Sequence, residues 1–209
     1  MTKERPKRGR PPASTPDQVL DKLLRAATDI LVEQTADADF SMAQIALRAG
    51  VSKRTVYTVV PGKEMLIAHL ISRNTTSALT ILDTPVPDAA AARAVLARFL
   101  TQWATLALAP LAVGIYAMAV REHSRYPDIG RMYYHSGAEA GQRELGLWLQ
   151  RMHGAGRLHC ADPDLTADLL LSMAAAEQRL LALGIQRATG PAAIAHRVAG
   201  AVTLVCPAS

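Results

Sequence analysis

Aromatic side chains make up only 4% of the 209 residues. That scarcity argues against a sheet, whose faces are built from aromatic and β-branched side chains, and the abundance of alanine and leucine favours helix. Cysteine is nearly absent. Cys160 and Cys206 have neither pairing nor metal-ligand spacing, which excludes a disulfide scaffold and leaves two reduced thiols as the expectation. No run of about 18 uncharged apolar residues occurs, so no membrane span is expected. Trp103 to Val120 comes nearest, but Pro110 and Gly114 interrupt it. The basic N-terminus lacks the apolar segment of a secretory signal, so the cytosol is the expected compartment. The chain also lacks a nucleophile elbow, a phosphate loop, an HExxH pair and a convincing carboxylate pair. An enzyme, and with it a cofactor, is therefore not expected.

Half of the residues are apolar, enough for a sizeable core. The net charge of +5 is concentrated at one end. Residues 1 to 12 hold Lys3, Arg5, Lys7, Arg8 and Arg10 against the single acid Glu4. All five lysines lie at or before Lys63, and every later basic residue is arginine. Attraction to a polyanion is thus expected at the N-terminal end.

Residues 1 to 16, rich in proline, glycine and basic side chains without apolar periodicity, read as a disordered arm. From Asp17 the spacing becomes helical, with Val19, Leu20, Leu23, Leu24, Ala27, Ile30 and Leu31 on one face. Thr15 or Asp17 is the candidate cap, with Pro16 at a tolerated position. Ser41 and Gln44 form a capping box for a second helix that stops at Gly50. Ser52 caps a short third helix, broken by Pro61-Gly62, and Lys63 opens a longer one to about Leu82. The two prolines within Thr84–Ala89 mark a linker. Beyond it the pattern is helical over roughly 90–108, 110–124, 127–154, 163–184 and 190–205. The reading is all-α: an N-terminal helix-turn-helix module at 17–83 and a larger helical module at 84–209.

The stretch Ile45-Ala-Leu-Arg-Ala-Gly50-Val-Ser-Lys-Arg-Thr-Val-Tyr57 carries the functional signal. Two short helices crossing at a tight turn need a small residue at the crossing (Ala46) and a glycine with positive φ (Gly50). They also need an apolar plug (Val51), a cap (Ser52) and an inward apolar side chain (Val56). These requirements occur here in the order of a helix-turn-helix. Any helical hairpin can show a glycine turn and a serine cap. The third helix adds an outer face of Lys53, Arg54, Thr55, Tyr57 and Thr58, all hydrogen-bond donors and none acidic, on a rod narrow enough for the major groove.

Residues Leu23 to Ile71 resemble the DNA-binding domain of the TetR family of regulators. The matches are Leu24-Arg-Ala-Ala27, Ile45-Ala46, Ala49-Gly-Val-Ser-Lys-Arg-Thr-Val-Tyr57 and Gly62-Lys-Glu-Met-Leu66. The resemblance implies that Ser41 meets phosphate and that Lys53, Arg54 and Thr55 begin the recognition helix. It also implies that Tyr57 touches the DNA backbone and that Lys63, at a helix N-terminus, holds a phosphate. One departure is the usual aromatic pair, here Val59 and Val60. Val60 can fill core space, but Val59 cannot donate to a phosphate. In the arm, Lys7-Arg-Gly-Arg-Pro-Pro12 resembles an AT-hook, with Arg8 and Arg10 reaching along a narrow A·T minor groove; read as a plain basic tail, it would still add affinity by counterion release.

The stretch Val120 to Ile129 with Tyr133, and later Gly156-Arg-Leu with Asp162-Pro-Asp-Leu-Thr-Ala167, resembles the ligand-binding domain of the AefR-like branch of that family. Candidate ligand-lining residues are Trp103, Leu106, Ile115, Met118, Tyr133, Trp148 and Met173, with Glu122, His123 and Glu177 as polar handles. Each also suits ordinary core packing. Apolar residues Leu165, Leu169, Leu170, Met173 and Leu180, with Ile194, Val198, Val202 and Val205, suggest a four-helix homodimer seam. His153, His159, Cys160 and Asp162 surround an expected surface turn, so no metal site is expected. The expectation is a TetR-type repressor of bacterial kind that binds a double-stranded DNA operator and is released by a small-molecule effector. The alternative is an architectural protein of A·T-rich DNA without ligand response.

Overall fold

The computed structural model describes residues 15–33, 40–124 and 126–205. Most of the expected arm, with Arg8 and Arg10, lies outside the described residues, as does Cys206. The described residues are helical and contain no strand.

The N-terminal elements are α1 (Pro16–Glu33), α2 (Met42–Ala49), α3 (Lys53–Val59) and α4 (Lys63–Leu79), which ends in a 3₁₀ turn, Thr80–Asp83. Thr15, rather than Asp17, starts α1. Its hydroxyl accepts from the Gln18 amide at 3.3 Å, and the Gln18 side chain accepts from the Thr15 amide at 3.1 Å, a reciprocal capping box. The second module comprises α5 (Ala89–Ala107), α6 (Pro110–Glu122), α7 (Pro127–Tyr133), α8 (Ala140–Gly154), α9 (Pro163–Ala174), α10 (Gln178–Ala182) and α11 (Pro191–Val205). Asp88 caps α5 through the Ala91 amide at 2.8 Å, and Asp162 caps α9 through Leu165 at 3.0 Å. Pro110, Pro127, Pro163 and Pro191 each occupy the first helical position, where a missing N–H costs nothing.

Two expected helices differ from their sequence patterns. The stretch 127–154 does not run as a uniform α-helix, because Tyr134–Glu139 form a π-helical segment between α7 and α8. The stretch 163–184 breaks at residues 175–177. No breaker stands there; the break is held by tertiary polar contacts. Glu177 turns inward to Arg187 and Arg197, and the Gln178 side chain donates to the Ala107 carbonyl at 2.8 Å.

Apolar side chains gather in two cores. One joins the end of α4 with α5, α8, α9 and α11 around Phe99, Leu100, Leu145 and Trp148. The other is built by α1 to α4 around Leu23, Ile45, Val56 and Leu66, and it takes in Ile115, Met118 and Ala119 of α6 and Ile129 of α7. Packing therefore crosses the linker, and α6 and α7 are bound to the N-terminal helices. Helix α4 contributes to both cores, Ile67 to one and Ala78 to the other. Among the described residues no single helix is long and apolar enough to cross a membrane, and α5 and α6 are bent by 62° at their junction.

Candidate DNA interface and effector cavity

The local chemistry of α2 and α3 sets the geometry of the reading head. Ser41 accepts from the Gln44 amide at 3.3 Å and starts α2. Gly50 ends it in the left-handed region, with φ 65° and ψ 33°, where a side chain would be strained. The chain then reverses, and Ser52 starts α3 by accepting from the Thr55 amide at 3.1 Å. Val56 and Val60 are fully buried, as is Ile45, so the inner face of α3 is locked onto α1 and α2. A two-pronged ion pair between Arg48 and Glu33, both contacts 2.7 Å, ties the ends of α1 and α2. The Arg48 hydrogen bond holds the Glu33 carboxyl below its ordinary range.

This lock leaves Lys53, Arg54, Tyr57 and Thr58 on the outer face of α3, all exposed. Lys53 and Arg54 make no ion pair among the described residues, so both cations are available to a polyanion. Thr55 is half-buried, and its hydroxyl lies 2.8 Å from that of Ser52. Ser41 is half-buried at its cap. Lys63 sits in the first turn of α4 with Nζ 5.3 Å from the Phe40 ring and 5.4 Å from the Tyr126 ring. The ammonium is held between one ring from the reading head and one from the loop preceding α7, a cation–π arrangement that joins the two modules.

A cavity of about 280 Å³ opens between α4, α5, α6, the π-helical segment and α9, near the low end of the range typical of small-molecule sites. Helix α4 contributes Ile71, Asn74 and Thr75, and α9 contributes Asp168, Leu171 and Ser172, each set at helical spacing on one face. Trp103 and Leu106 come from α5, Ile115 and Tyr116 from α6, and Tyr133 and Tyr134 from the α7–π junction. The Tyr133 hydroxyl donates to the Gln178 side chain at 3.0 Å, and its ring meets Tyr116 edge-on at 5.9 Å between centroids. Burial pushes the Tyr133 phenol up to about 12, against the opposing pull of the Gln178 hydrogen bond, so it stays protonated at neutral pH. Two glycines shape the walls. A Cβ on Gly141 would stand 2.3 Å from the Trp103 ring, and one on Gly137 would stand 3.1 Å from Ile71. Glycine at 137 thus lets the π segment approach α4 closely.

Of the candidate lining residues and polar handles, Trp103, Leu106, Ile115 and Tyr133 come together here; six others do not. Met118 is fully buried in the core shared with α1 and α4, and Trp148 is buried in the other core. Met173 and Glu177 border a separate groove between α9 and α11. Glu177 is 5% exposed and is held by Arg187, at 2.7 Å, and by Arg197. Its charge is matched within the protein, away from the cavity. Glu122 pairs with Arg121, and His123 is exposed and bonded to the Val120 carbonyl. Leu170, Ile194 and Val198, read as seam residues, are buried within the subunit. The polar side chains that sequence reasoning missed include Asn74, Thr75, Gln142, Asp168, Ser172 and Gln178. The only local signal was the helical spacing of Asp168, Leu171, Ser172 and Ala175.

These features define a helical regulator with an N-terminal helix-turn-helix and a C-terminal cavity. The profile of AefR-like transcriptional repressor C-terminal domains matches residues 94–208. The chain belongs to the TetR family of transcriptional regulators. The flavonoid-responsive regulator FrrA is 31% identical, with 92% of this chain and all of that chain covered, at a TM-score of 0.64. A TetR-family regulator from Mesorhizobium loti shares the fold at a TM-score of 0.73, 20% identity and coverage of 92% and 96%. So does FadR from Bacillus subtilis in complex with stearoyl-CoA, at 0.68, 13% identity and coverage of 90% and 97%. No curated protein sequence matches the chain.

Proposed function

We propose that the protein is a dimeric, cytoplasmic repressor that binds an operator through residues 17–83 and leaves it when a small molecule occupies a site in residues 84–209. One observation carries the reading: α4 supplies both a wall of the cavity and the edge of the reading head. Asn74 lines the cavity, and Lys63 begins the same helix beside α3. At 1.5 Å per residue the two lie about 16 Å apart along one rod. A ligand that favours one tilt of α4 therefore shifts the reading head, by no more than its differential affinity for the two arrangements. The name of FrrA links that relative to small organic effectors, which is in keeping with this reading.

Dimerisation is supported by the outer surface of α9 and α11, which pack on each other. Leu165, Leu169 and Leu204 are 53%, 49% and 77% exposed there. Exposed leucines beside the small residues Ala195, Ala199 and Gly200 suit close apposition of a second copy. Two copies place two recognition helices for half-sites about one DNA turn, roughly 34 Å, apart.

The test is binding to the promoter upstream of the protein's own gene, with random DNA as competitor. Specific binding at about 10⁻⁸ M, relaxed by roughly 1–3 kcal/mol at one base position in Arg54→Ala, supports the reading. Equal affinity for both DNAs supports the architectural alternative. A disulfide that fixes the spacing of the two reading heads abolishes ligand release; a locked dimer that still lets go refutes the spacing mechanism.

A further inference from the structure

The charge of the cavity wall is one-sided. Among the described residues no lysine, arginine or histidine lines it, and Asp168, exposed on α9, is the one charged side chain they place on the wall. An anionic ligand entering a partly apolar space would leave its water shell without a cation to replace it, and would face Asp168. A neutral ligand avoids both costs, and a cationic one gains a counter-charge. The remaining wall combines aliphatic side chains such as Ile71, Leu106 and Leu171 with four aromatic ones. The four are Trp103, Tyr116, Tyr133 and Tyr134, side chains of a type suited to stacking and edge-on contact with a planar ring. Gln178 is occupied at both ends, by the Tyr133 hydroxyl and the Ala107 carbonyl, so it holds the wall. The side-chain amides of Asn74 and Gln142 make no hydrogen bond among the described residues and offer both a donor and an acceptor to a ligand.

We infer that the cavity takes a compact, planar aromatic molecule without negative charge, its polar groups met by Asn74 and Gln142 and any positive charge by Asp168. The inference rests on reading the cavity as the effector site, but it is tested separately from that reading. Two dyes share one ring system: N-phenyl-1-naphthylamine is neutral, and 8-anilinonaphthalene-1-sulfonate adds an anionic group. Both are titrated by fluorescence into the full chain without DNA, and the melting of each variant is compared with that of the parent.

The amine is expected to bind about tenfold or more tightly than the sulfonate. Ala112→Phe, on the cavity wall, abolishes the tight amine binding. Gln142→Lys adds a cation without filling the cavity, and it narrows or reverses the preference. Asp168→Asn strengthens sulfonate binding by a few-fold only, since an exposed charge is screened. Equal affinity for the two dyes that Gln142→Lys leaves unchanged would overturn the charge selection. Amine binding that survives Ala112→Phe would overturn the site. If the amine fills the cavity, with these dependences, and promoter affinity does not change, the ligand class stands and ligand-released repression fails.

Discussion

Met118 lies in the core shared with the N-terminal helices and not on the cavity wall, and its truncation is the sharpest test of how the modules are joined. Its residue type and position on α6 suit a ligand pocket. In the structure it is fully buried among Ile115, Ala119, Ile129 and the side chains of α1 and α4. Met118→Ala removes Cγ, Sδ and Cε. At about 0.8 kcal/mol per buried methylene-sized group, the lost transfer energy is roughly 2 kcal/mol. The residual hole in a core tied to two modules raises the cost to about 3 kcal/mol. For a chain of this length that lowers the melting temperature by about 6–12 °C. Thermal melting by circular dichroism reads the stability, and titration with N-phenyl-1-naphthylamine at 20 °C reads the cavity. The expected result is a large loss of stability with dye affinity unchanged within about twofold. A variant that melts like the parent and binds the dye severalfold more weakly would refute the reasoning, because it would put the methionine on the cavity wall and not under the reading head.

Gly141→Ala places a Cβ against the Trp103 ring and must displace it. A destabilisation of about 1–3 kcal/mol is expected, with altered tryptophan fluorescence and weaker dye binding; unchanged emission would contradict the contact. Gly50→Ala meets no atom within 4 Å, so its cost comes from the positive φ alone, about 1–2 kcal/mol by thermal melting. Glu177→Gln tests the buried ion pair through pH. The hydrogen bond from Arg187 holds the Glu177 carboxyl below its ordinary 4.5 against the cost of burial, and the charges of Arg197 and Arg187 assist. A depressed carboxylate stabilises the fold above its unfolded value and loses that contribution as pH falls through the folded one. The parent should therefore melt higher than Glu177→Gln at neutral pH, and the gap should close below pH 4.5. A gap that persists undiminished at lower pH would assign the effect to packing.

The helix-turn-helix was legible because its determinants are local. A serine cap, a glycine with positive φ and an apolar residue at the right offset each act within a few residues, so Ser41, Gly50, Ser52 and Val56 announce their roles in order. The exposure of Lys53, Arg54 and Tyr57 follows from the same periodicity. The cavity was only partly legible. Trp103, Leu106, Ile115 and Tyr133 were read from residue type, and that criterion equally selected Met118 and Trp148, which fill cores. Type and spacing say that a side chain avoids water; they do not say whether a protein neighbour or an open space faces it. Asp168 and Asn74 were missed because a polar residue on a helix reads as solvated until another helix is laid beside it.

Local chemistry along the chain thus determined the all-helical class and the helix-turn-helix, since caps, prolines and apolar spacing act over one or two turns. The tertiary structure alone decided that α6 and α7 join the N-terminal core, that Glu177 is matched by Arg187 and Arg197, that the helix after α9 breaks without a breaker, and that a cavity lies against α4. Each of those depends on residues far apart in sequence meeting in space, and the energy of such meetings is set by which partner arrives, not by the side chain alone.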